Sequence, residues 1–327
     1  MNKKIGTKIL GTGSYFPKKV LTNADLEKMV ETSDEWIRTR TGIKERRISE
    51  KDEPTSELAY RASVEALKSA NVPPEQIDLI LVATITPDML FPSTACFLHE
   101  RLGLVNPVPA FDLSAACSGF IYGISMAKAF IESGLYKTVL LVGAEELTKF
   151  TDWTDRNTCI LFGDGAGAMI LSASLEDDDI LSVFLGADGS YSDLLDLAAC
   201  GTACYKKANI NERKIKMQGR EVFKTAVPKM ALAAEKALNF SEKELKDIKL
   251  FIPHQANMRI IEAVAKKLDI SMDRVFVNIH KTGNISSATT ITALDEAVKT
   301  GKLQKGDLVE LIAFGGGFTW GAAVIRM

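Results

Sequence analysis

Cysteine is scarce in this chain of 327 residues, which contains five cysteines. An odd and sparse set in a chain of this length does not resemble the disulfide framework of a small secreted domain, so we expect reduced thiols. The chain also lacks an excess of one charge, because 40 lysines and arginines face 42 aspartates and glutamates without a long run of either sign. This balance argues against a nucleic-acid-binding protein.

Long uninterrupted apolar runs are missing as well. The first segment, MNKKIGTKILGTGSYFP, contains only a short apolar stretch broken by glycines, so we expect neither a signal peptide nor membrane insertion. A cytoplasmic location is the default expectation. The composition, with 46% apolar and 25% charged residues, is that of an ordinary globular protein with enough apolar side chains for a large core.

Short apolar runs predict buried strands, and helical patterns rich in small residues lie between them. The runs are Ile77–Thr84, Thr138–Gly143, Ala166–Leu171, Ile248–Ile252 and Leu308–Phe314. Strands that alternate with helices predict an α/β fold with buried, mixed, largely parallel sheets.

The same order of elements occurs twice, which predicts a duplicated fold with halves at 1–174 and 175–327. Cys117 precedes Gly134 by 17 residues, and Asn284 precedes Gly301 by 17 residues. We therefore place Cys117 and Asn284 at corresponding positions of the two halves. The alternative to duplication is that the repeat is only the ordinary alternation of strands and helices found in any α/β protein. No low-complexity linker separates the halves, so we expect them to pack as one body.

Cys117 is the candidate nucleophile. It lies where the segment DLSAAC enters a helix with Phe120, Ile121 and Ile124 at apolar positions. Unpaired N–H groups and the helix dipole favour an anion at a helix N-terminus, so this position predicts a reactive cysteine with a lowered thiol pKa. A small buried core residue is the alternative for an isolated cysteine.

His254 and Asn284 are the other two catalytic candidates. His254 follows the strand KLFIP, and ligands collect at the carboxyl ends of strands in open α/β sheets. Asn284 lies in KTGNISSATT, just before a predicted helix. Taken singly, His254 is more often structural and Asn284 is more often an N-cap. Together with Cys117 they predict one site built from both halves.

At these residues the chain resembles β-ketoacyl-acyl carrier protein synthase III, the initiating condensing enzyme of type II fatty acid synthesis in the thiolase-like superfamily. The resemblance covers nearly the whole chain, through blocks that include GTGSYFP, TSDEWIRTRTGI, FGDGAGA, ADGSYSDLL, MQGREVFK, PHQAN, GNISSA and AFGGGFTWGAA. Several blocks in the family's order are more specific than any single motif. The resemblance implies a duplicated thiolase-like α-β-α-β-α sandwich, in agreement with the internal repeat.

The resemblance also implies a reaction. Cys117 would take the acyl group of a short acyl-CoA, above all acetyl-CoA, and the acyl-enzyme would condense with malonyl-acyl carrier protein to give acetoacetyl-acyl carrier protein, CoA and CO2. His254 and Asn284 would donate hydrogen bonds to the malonyl thioester oxygen. The N–H groups of Cys117 and Gly316 would stabilise the other oxyanion, and Phe314 would disfavour the ionised malonyl carboxylate. No cofactor is implied, because both substrates are thioesters.

Binding surfaces are implied by the same resemblance. For CoA the matching residues are Trp36, Arg40, Thr41, Arg156, Phe223, Ala256 and Asn257. Trp36 and Arg156 would stack on opposite faces of the adenine. For the acidic acyl carrier protein the matching basic residues are Lys224, Arg259, Lys266 and Lys267. Phe91 matches the position that reaches the neighbouring subunit's acyl pocket, which implies a homodimer and a short primer. For each of these residues the alternative to a binding role is a side chain that only packs in the structure or only faces solvent.

The chain departs most from the family pattern at 196–212, which contains Cys200 and Cys204. Their C-x3-C spacing is compatible with a metal site or a disulfide. Because the sequence near them contains no second pair of metal ligands, we predict free thiols and no metal. Cys96 and Cys159 are interpreted as small buried residues. Two other functions stay open: a related Cys-His-Asn condensing enzyme of the polyketide-priming or alkylquinolone type, and a non-catalytic scaffold subunit.

Overall fold

The structure, a computed structural model, describes residues 5–197, 201–202 and 213–327. Cys200, Cys204 and most of the segment 196–212 lie outside the described residues. The strands are β1 Gly6–Tyr15, β2 Lys19–Thr22, β3 Glu45–Ile48, β4 Leu79–Ala83, β5 Ala110–Leu113, β6 Thr138–Glu146, β7 Asp164–Ser174, β8 Ile180–Ala187, β9 Leu195–Asp196, β10 Lys216–Met217, β11 Ile248–Pro253, β12 Leu308–Gly315 and β13 Thr319–Arg326. The helices are α1 Asn23–Leu26, α2 Asp34–Thr41, α3 Thr55–Ala70, α4 Thr94–Arg101, α5 Gly119–Glu132, α6 Gly219–Ser241, α7 Met258–Lys267, α8 Ile279–Thr282 and α9 Ala288–Lys299.

Two mixed sheets form the framework. The first has the order β1-β7-β6-β4-β5, in which β4 runs parallel to β5 and β6 while β7 runs antiparallel to both its neighbours. The second has the order β11-β12-β13-β8, in which only β11 and β12 are parallel. The sheets are mixed, as predicted, but the prediction that they are largely parallel is wrong. At β12 the cause is local, because a turn at 316–318 sends β13 straight back along β12.

Helices cover both faces of both sheets, which produces five layers. Helices α3 and α4 pack on the outer face of the first sheet, and α6 and α7 pack on the outer face of the second. Helices α5 and α9 lie between the sheets and contact both. The order of layers is therefore α-β-α-β-α, as predicted. The central strands β4, β6 and β12 are mostly apolar because each sheet is buried on both faces.

Side chains of β12 alternate between two cores. Val309, Leu311 and Ala313 point to the central layer, whereas Ile312 and Phe314 point to the outer core with α6 and α7. Glu310 is fully buried on this strand, and neither of its carboxylate oxygens has a hydrogen-bond partner among the described residues. Burial accordingly raises its pKa well above the ordinary value.

Three cysteines lie in the described part of the chain, and none is in a disulfide. Cys117 and Cys159 are buried, but Cys96 is exposed on α4, so the prediction of a buried Cys96 is wrong. The helix turns this position away from the core, in which its neighbours Ala95 and Leu98 are fully buried. Within the described ranges no helix has both the length and the apolar character needed to cross a membrane.

Candidate active site

Cys117 lies in a tight turn, Ala116–Ser118, directly before α5. The N–H groups of Ser118 and Gly119 close the turn onto the carbonyls of Ala115 and Ala116. Thr319 at the start of β13 donates a hydrogen bond to the Ala115 carbonyl at 2.8 Å. The turn is thus held from the opposite half, and the predicted position of Cys117 at the entry to a helix is confirmed.

Ala116 and Ser286 share an unusual backbone conformation, since each has φ of +46°. Ala116 comes just before Cys117, and Ser286 comes just before Ser287, the residue that precedes α9. The structural counterpart of Cys117 in the second half is therefore Ser287, and the pairing of Cys117 with Asn284 is wrong. Counting back from Gly134 and Gly301 gives a position three residues too early, because α9 is two residues shorter than α5 and starts one residue after Ser287, whereas α5 starts two residues after Cys117.

The electrostatics of the thiol also differ from the prediction. Burial raises the pKa of Cys117 to about 12, and the charge of nearby Glu145 adds to the rise, whereas the Ser286 hydroxyl acts in the opposite direction. The sequence predicts a lowered pKa from the helix N-terminus alone. It does not show that the side chain is only 8% exposed and that no cation faces it in the described structure. The resting thiol is therefore neutral.

Glu145 links the two halves beneath the thiol. One carboxylate oxygen accepts hydrogen bonds from the Thr86 hydroxyl at 2.8 Å and the Ile85 N–H at 3.1 Å. The other oxygen lies 2.8 Å from the hydroxyl of Ser287, the counterpart of Cys117. These contacts fix the start of α9 against the end of β4. They also hold Ser286, the residue before Ser287, next to the Cys117 thiol, and Asn284 lies two residues before Ser286.

His254 follows β11, and its own N–H donates to the Ile312 carbonyl at 2.7 Å. Its ring Nδ1 lies 2.6 Å from the hydroxyl of Thr289 on α9. Burial lowers the pKa of the imidazole to about 3, so the ring is neutral at physiological pH. The described structure offers Nε2 no hydrogen-bond partner, and the residue lines the cavity described below.

Asn284 is held by its backbone in a short bridge to Phe162. Its N–H donates to the Leu161 carbonyl at 2.8 Å, and its carbonyl accepts the N–H of Gly163 at 3.0 Å. Its side-chain oxygen accepts the N–H of Ser286 at 2.9 Å. The side-chain Nδ2 is therefore the atom left to donate a hydrogen bond into the cavity. Asn284 does not act as the N-cap of α9, which begins at Ala288.

One cavity of about 1720 Å³ brings the three catalytic candidates together. Cys117, His254 and Asn284 all line it, and so do Phe314 and Gly316. The predicted CoA residues that line it are Trp36, Arg40, Thr41, Phe223, Ala256 and Asn257, and the predicted carrier-protein residue Arg259 lies at the same wall. Nucleophile, polar donors and an extended binding channel therefore share one space.

The glycines after β12 approach the nucleophile turn closely. A Cβ added to Gly315 would lie 2.5 Å from the amide nitrogen of Cys117. Gly316 follows at the cavity wall, and no described carbonyl accepts its N–H. Phe314 is buried and packs against Phe318 with ring centroids 4.7 Å apart. The absence of side chains here is what lets two strand and turn backbones meet.

Trp36 lines the cavity, and two guanidinium groups contact its ring. The central carbon of Arg156 is 4.2 Å from the ring centroid, and that of Arg40 is 4.5 Å away. An adenine between Trp36 and Arg156 needs about twice that separation, since the atoms of stacked groups lie roughly 3.5 to 4 Å apart. Arg156 must therefore swing away before a base stacks there. The Thr41 hydroxyl is already bonded to the Ile37 carbonyl.

The predicted carrier-protein residues occupy two helices near this cavity. Lys266 and Lys267 are exposed at the end of α7, whose apolar face is buried through Ile261 and Val264. Lys224 on α6 makes an ion pair with Glu221 at 2.9 Å. Phe91 is 84% exposed and does not line the cavity, although Met89 and Leu90 beside it do.

Several residues of the site were not predicted. Glu145, Ser287 and Thr289 form the network beneath it. Ser287 and Thr289 lie in KTGNISSATT, which was interpreted only for Asn284, and Glu145 lies outside the quoted motifs. Arg220 lines the mouth of the cavity and could have been found, because it lies in the block MQGREVFK three residues before Phe223. Cavity-lining apolar residues that were also missed are Leu147, Phe162, Ile215 and Met230.

Comparison with known proteins agrees with this geometry. Residues 111–189 match the family model of 3-oxoacyl-[acyl-carrier-protein (ACP)] synthase III, and residues 238–327 match the model of its C-terminal part. A β-ketoacyl-[acyl-carrier-protein] synthase III of Xanthomonas campestris is 52% identical over 326 residues, covering 100% of both chains. The protein of that name from Caldanaerobacter subterraneus is 51% identical, covering 100% of this chain and 99% of its own.

Solved structures give the same result. The 3-oxoacyl-[acyl-carrier-protein] synthase III of Aquifex aeolicus superposes with a TM-score of 0.91 at 51% identity, covering 98% of this chain and 100% of its own. A priming β-ketosynthase of the R1128 polyketide pathway superposes with a TM-score of 0.93 at 36% identity, covering 100% of this chain and 98% of its own. These likenesses confirm the predicted thiolase-like fold. The chain belongs to the β-ketoacyl-[acyl-carrier-protein] synthase III family of acyltransferases.

Proposed function

We propose that this chain starts fatty acid synthesis by condensing a short acyl-CoA with malonyl-acyl carrier protein, through an acyl group carried on Cys117. The observation that carries the proposal is the convergence of Cys117, His254 and Asn284 on one cavity whose mouth holds aromatic and basic residues. Relatives named β-ketoacyl-[acyl-carrier-protein] synthase III, at 51–52% identity over the full chain, support the proposal. The reaction needs no cofactor, because two thioesters supply both carbon groups.

In the first step Cys117 Sγ attacks the thioester carbonyl carbon of acetyl-CoA, and the bond from that carbon to the CoA sulfur breaks. The pKa values of about 12 for Cys117 and about 3 for His254 make a standing thiolate-imidazolium pair unfavourable. The thiol proton therefore leaves as the new C–S bond forms. We assign His254 Nε2 as its acceptor, from which it passes to the departing CoA thiolate.

In the second step the malonyl thioester of malonyl-acyl carrier protein enters the channel that CoA has left, while the carrier protein itself stays at the surface. Loss of CO2 places negative charge on the malonyl thioester oxygen, and His254 and Asn284 donate hydrogen bonds to it. The enolate carbon then attacks the acetyl carbonyl, and the bond from that carbonyl to Cys117 breaks. The products are acetoacetyl-acyl carrier protein and CO2. The Cys117 thiolate that leaves takes up one proton from water in the cavity, because the first thiol proton has departed with CoA.

The tetrahedral species on Cys117 needs its own donors. The N–H groups of Cys117 and Gly316 are our candidates, because the β12 turn and the nucleophile turn meet there and the Gly316 N–H has no described acceptor. Phe314 presents an apolar ring at this wall. An apolar surface disfavours the ionised malonyl carboxylate and favours neutral CO2.

We assign CoA binding to Trp36, Arg40 and Arg156 with Thr41, Phe223, Ala256 and Asn257, and carrier-protein docking to Arg259, Lys266, Lys267 and Lys224. Opening of the Arg156–Trp36 stack would admit the adenine, and arginine suits the phosphates. Among the docking lysines we expect Lys266 and Lys267 to contribute most to binding of the carrier protein, because Lys224 already forms an ion pair with Glu221. Charge complementarity with an acidic partner mainly raises the rate of association.

We further propose a homodimer in the cytoplasm, with the halves 1–174 and 175–327 in each chain. Met89, Leu90 and Phe91 form an exposed apolar group before α4, with Phe91 84% exposed. Such a group is typical of an interface. In a dimer Phe91 would close the partner's acyl cavity and limit the primer to acetyl or another short group.

A product assay tests this function. Acyl-CoAs of increasing chain length are supplied with malonyl-acyl carrier protein, and the 3-oxoacyl product is identified by mass spectrometry. We expect acetoacetyl-acyl carrier protein from acetyl-CoA and falling rates with longer primers. A polyketide-type priming enzyme, the function for which the R1128 structure is named, is the alternative if acetyl-CoA gives no product and another acyl-CoA does. A scaffold subunit would give no product with any primer.

A further inference from the structure

Thr289 is the residue beneath His254 that the reaction above does not yet use. It is 1% exposed, in the first turn of α9, and its hydroxyl oxygen lies 2.6 Å from His254 Nδ1. The same oxygen lies 2.9 Å from the carbonyl oxygen of Ser286. That carbonyl also accepts the N–H of Thr289 at 3.2 Å, so it is satisfied without the hydroxyl.

A hydroxyl has one proton and two available acceptors here. When the proton points to the Ser286 carbonyl, Nδ1 carries a hydrogen and donates to Thr289, and the free lone pair of the neutral ring is on Nε2. When the proton points to Nδ1, the ring hydrogen is on Nε2. Since Nε2 faces the cavity, rotation of one buried hydroxyl accommodates a proton acceptor or a proton donor at the same place.

The two steps of the proposed reaction need these two forms in turn. Acyl transfer from CoA requires Nε2 to accept the thiol proton, and condensation requires Nε2–H to donate to the malonyl thioester oxygen. We propose that Thr289 is a positioning residue that fixes the His254 ring and, through rotation of its hydroxyl, supports both forms. The forms differ in the place of one ring proton, which exchanges with water in the open cavity after CoA leaves. This inference rests on the proposed function.

Three variants separate this role from simple packing. Thr289→Val keeps the shape and removes the hydroxyl, whereas Thr289→Ser keeps the hydroxyl. Thr292→Val is the matched control, because Thr292 is equally buried on the same helix and its hydroxyl bonds only to α9 backbone carbonyls. Acyl-enzyme formation from acetyl-CoA and condensation with malonyl-acyl carrier protein are measured separately by quenched-flow mass spectrometry.

We expect Thr289→Val to slow both steps about 10- to 100-fold, the usual cost of losing a residue that orients a reactive histidine, with KM for acetyl-CoA unchanged. Thr289→Ser should recover most of both rates, and Thr292→Val should match the parent. Wild-type rates in Thr289→Val, or equal loss in Thr289→Ser, would overturn the inference. Absence of acyl-enzyme in the unmutated protein would instead overturn the proposed function.

A measurement on the unmutated protein covers the case in which Thr289→Val does not fold. The chain has three histidines, so ¹⁵N-histidine NMR with His254→Gln for assignment isolates the His254 ring. We expect intermediate Nδ1 and Nε2 shifts, which indicate two neutral tautomers in exchange. A single pure tautomer, or a charged ring at pH 7, would overturn the role of hydroxyl rotation.

Discussion

Gly315 packs so closely against Cys117 that a methyl group on its α-carbon would lie 2.5 Å from the Cys117 amide nitrogen. The end of β12 and the nucleophile turn come from opposite halves of the chain, so this contact sets how the halves meet at the reactive sulfur. Because the obstructing atom is backbone, it cannot move aside without displacing the thiol.

Gly315→Ala should therefore slow acyl transfer to Cys117 by about 100-fold, the scale expected for a displacement of roughly 1 Å in a site. It should also destabilise the protein by about 1–3 kcal/mol through overpacking. Rapid-quench acylation and urea denaturation measure the two effects. Gly189→Ala is the control, since no atom lies within 4 Å of its added Cβ. Acylation of Gly315→Ala at the wild-type rate would contradict the described contact.

The pH dependence of alkylation tests the state of the thiol. With a pKa of about 12, the thiolate fraction of Cys117 rises with pH throughout the range below that value. The rate of iodoacetamide modification at Cys117, followed by peptide mass mapping, should increase about tenfold per pH unit between pH 7 and pH 9. A plateau within that range would indicate a lowered pKa and would restore the prediction made from the helix N-terminus.

Glu310 offers a stability prediction away from the site. Its folded pKa lies above its ordinary value of 4.5, so the folded protein binds more protons than the unfolded chain between these two values. The free energy of unfolding therefore decreases as pH rises from about 4.5 towards the folded pKa. Glu310→Leu should remove this loss and stabilise the protein by about 1–3 kcal/mol at pH 7.5, the usual cost of an unpaired buried polar group.

Urea denaturation at several pH values measures this effect. Glu310→Gln is the matched control, because it does not ionise but still buries an unpaired polar group. It should flatten the pH dependence without the full gain of Glu310→Leu. An unchanged pH dependence in both variants would show that Glu310 is not the titrating group.

Reversal of charge at Lys266 and Lys267 tests the docking surface. The double variant Lys266→Glu with Lys267→Glu should slow condensation with malonyl-acyl carrier protein about tenfold at low salt, because like charges slow association. Acylation from acetyl-CoA should be unaffected. Lys68→Glu, on the opposite outer layer in α3, is the control. An equal loss of rate in acylation and in condensation would contradict the role of the two lysines in docking the carrier protein.

The strands and the position of Cys117 could be predicted because their signals are local. All five predicted strands are present, since a strand buried on both faces is an apolar run in the sequence. Cys117 is preceded by small residues and followed by an apolar helix, so its turn was also recognisable. His254 was recognisable because it follows such a strand directly.

The remaining features depend on residues far apart in the chain. Thr289 is 35 residues from His254, and Ser287 is 142 residues from Glu145. Ala116 and Ser286 adopt positive φ without being glycine, so no residue type marks these positions. The rise in the Cys117 pKa comes from burial and from Glu145, neither of which the helix-entry pattern contains. Strand direction within the sheets likewise depends on connections that apolar runs do not specify.

The acyl-enzyme is the most direct test of the central claim. The protein is incubated with acetyl-CoA, and intact mass and peptide mapping locate the acetyl group before and after malonyl-acyl carrier protein is added. We predict one acetyl group per chain on Cys117, which disappears on addition of malonyl-acyl carrier protein as acetoacetyl-acyl carrier protein forms. No acetyl group on the protein, or the same acetylation in Cys117→Ala, would contradict the account.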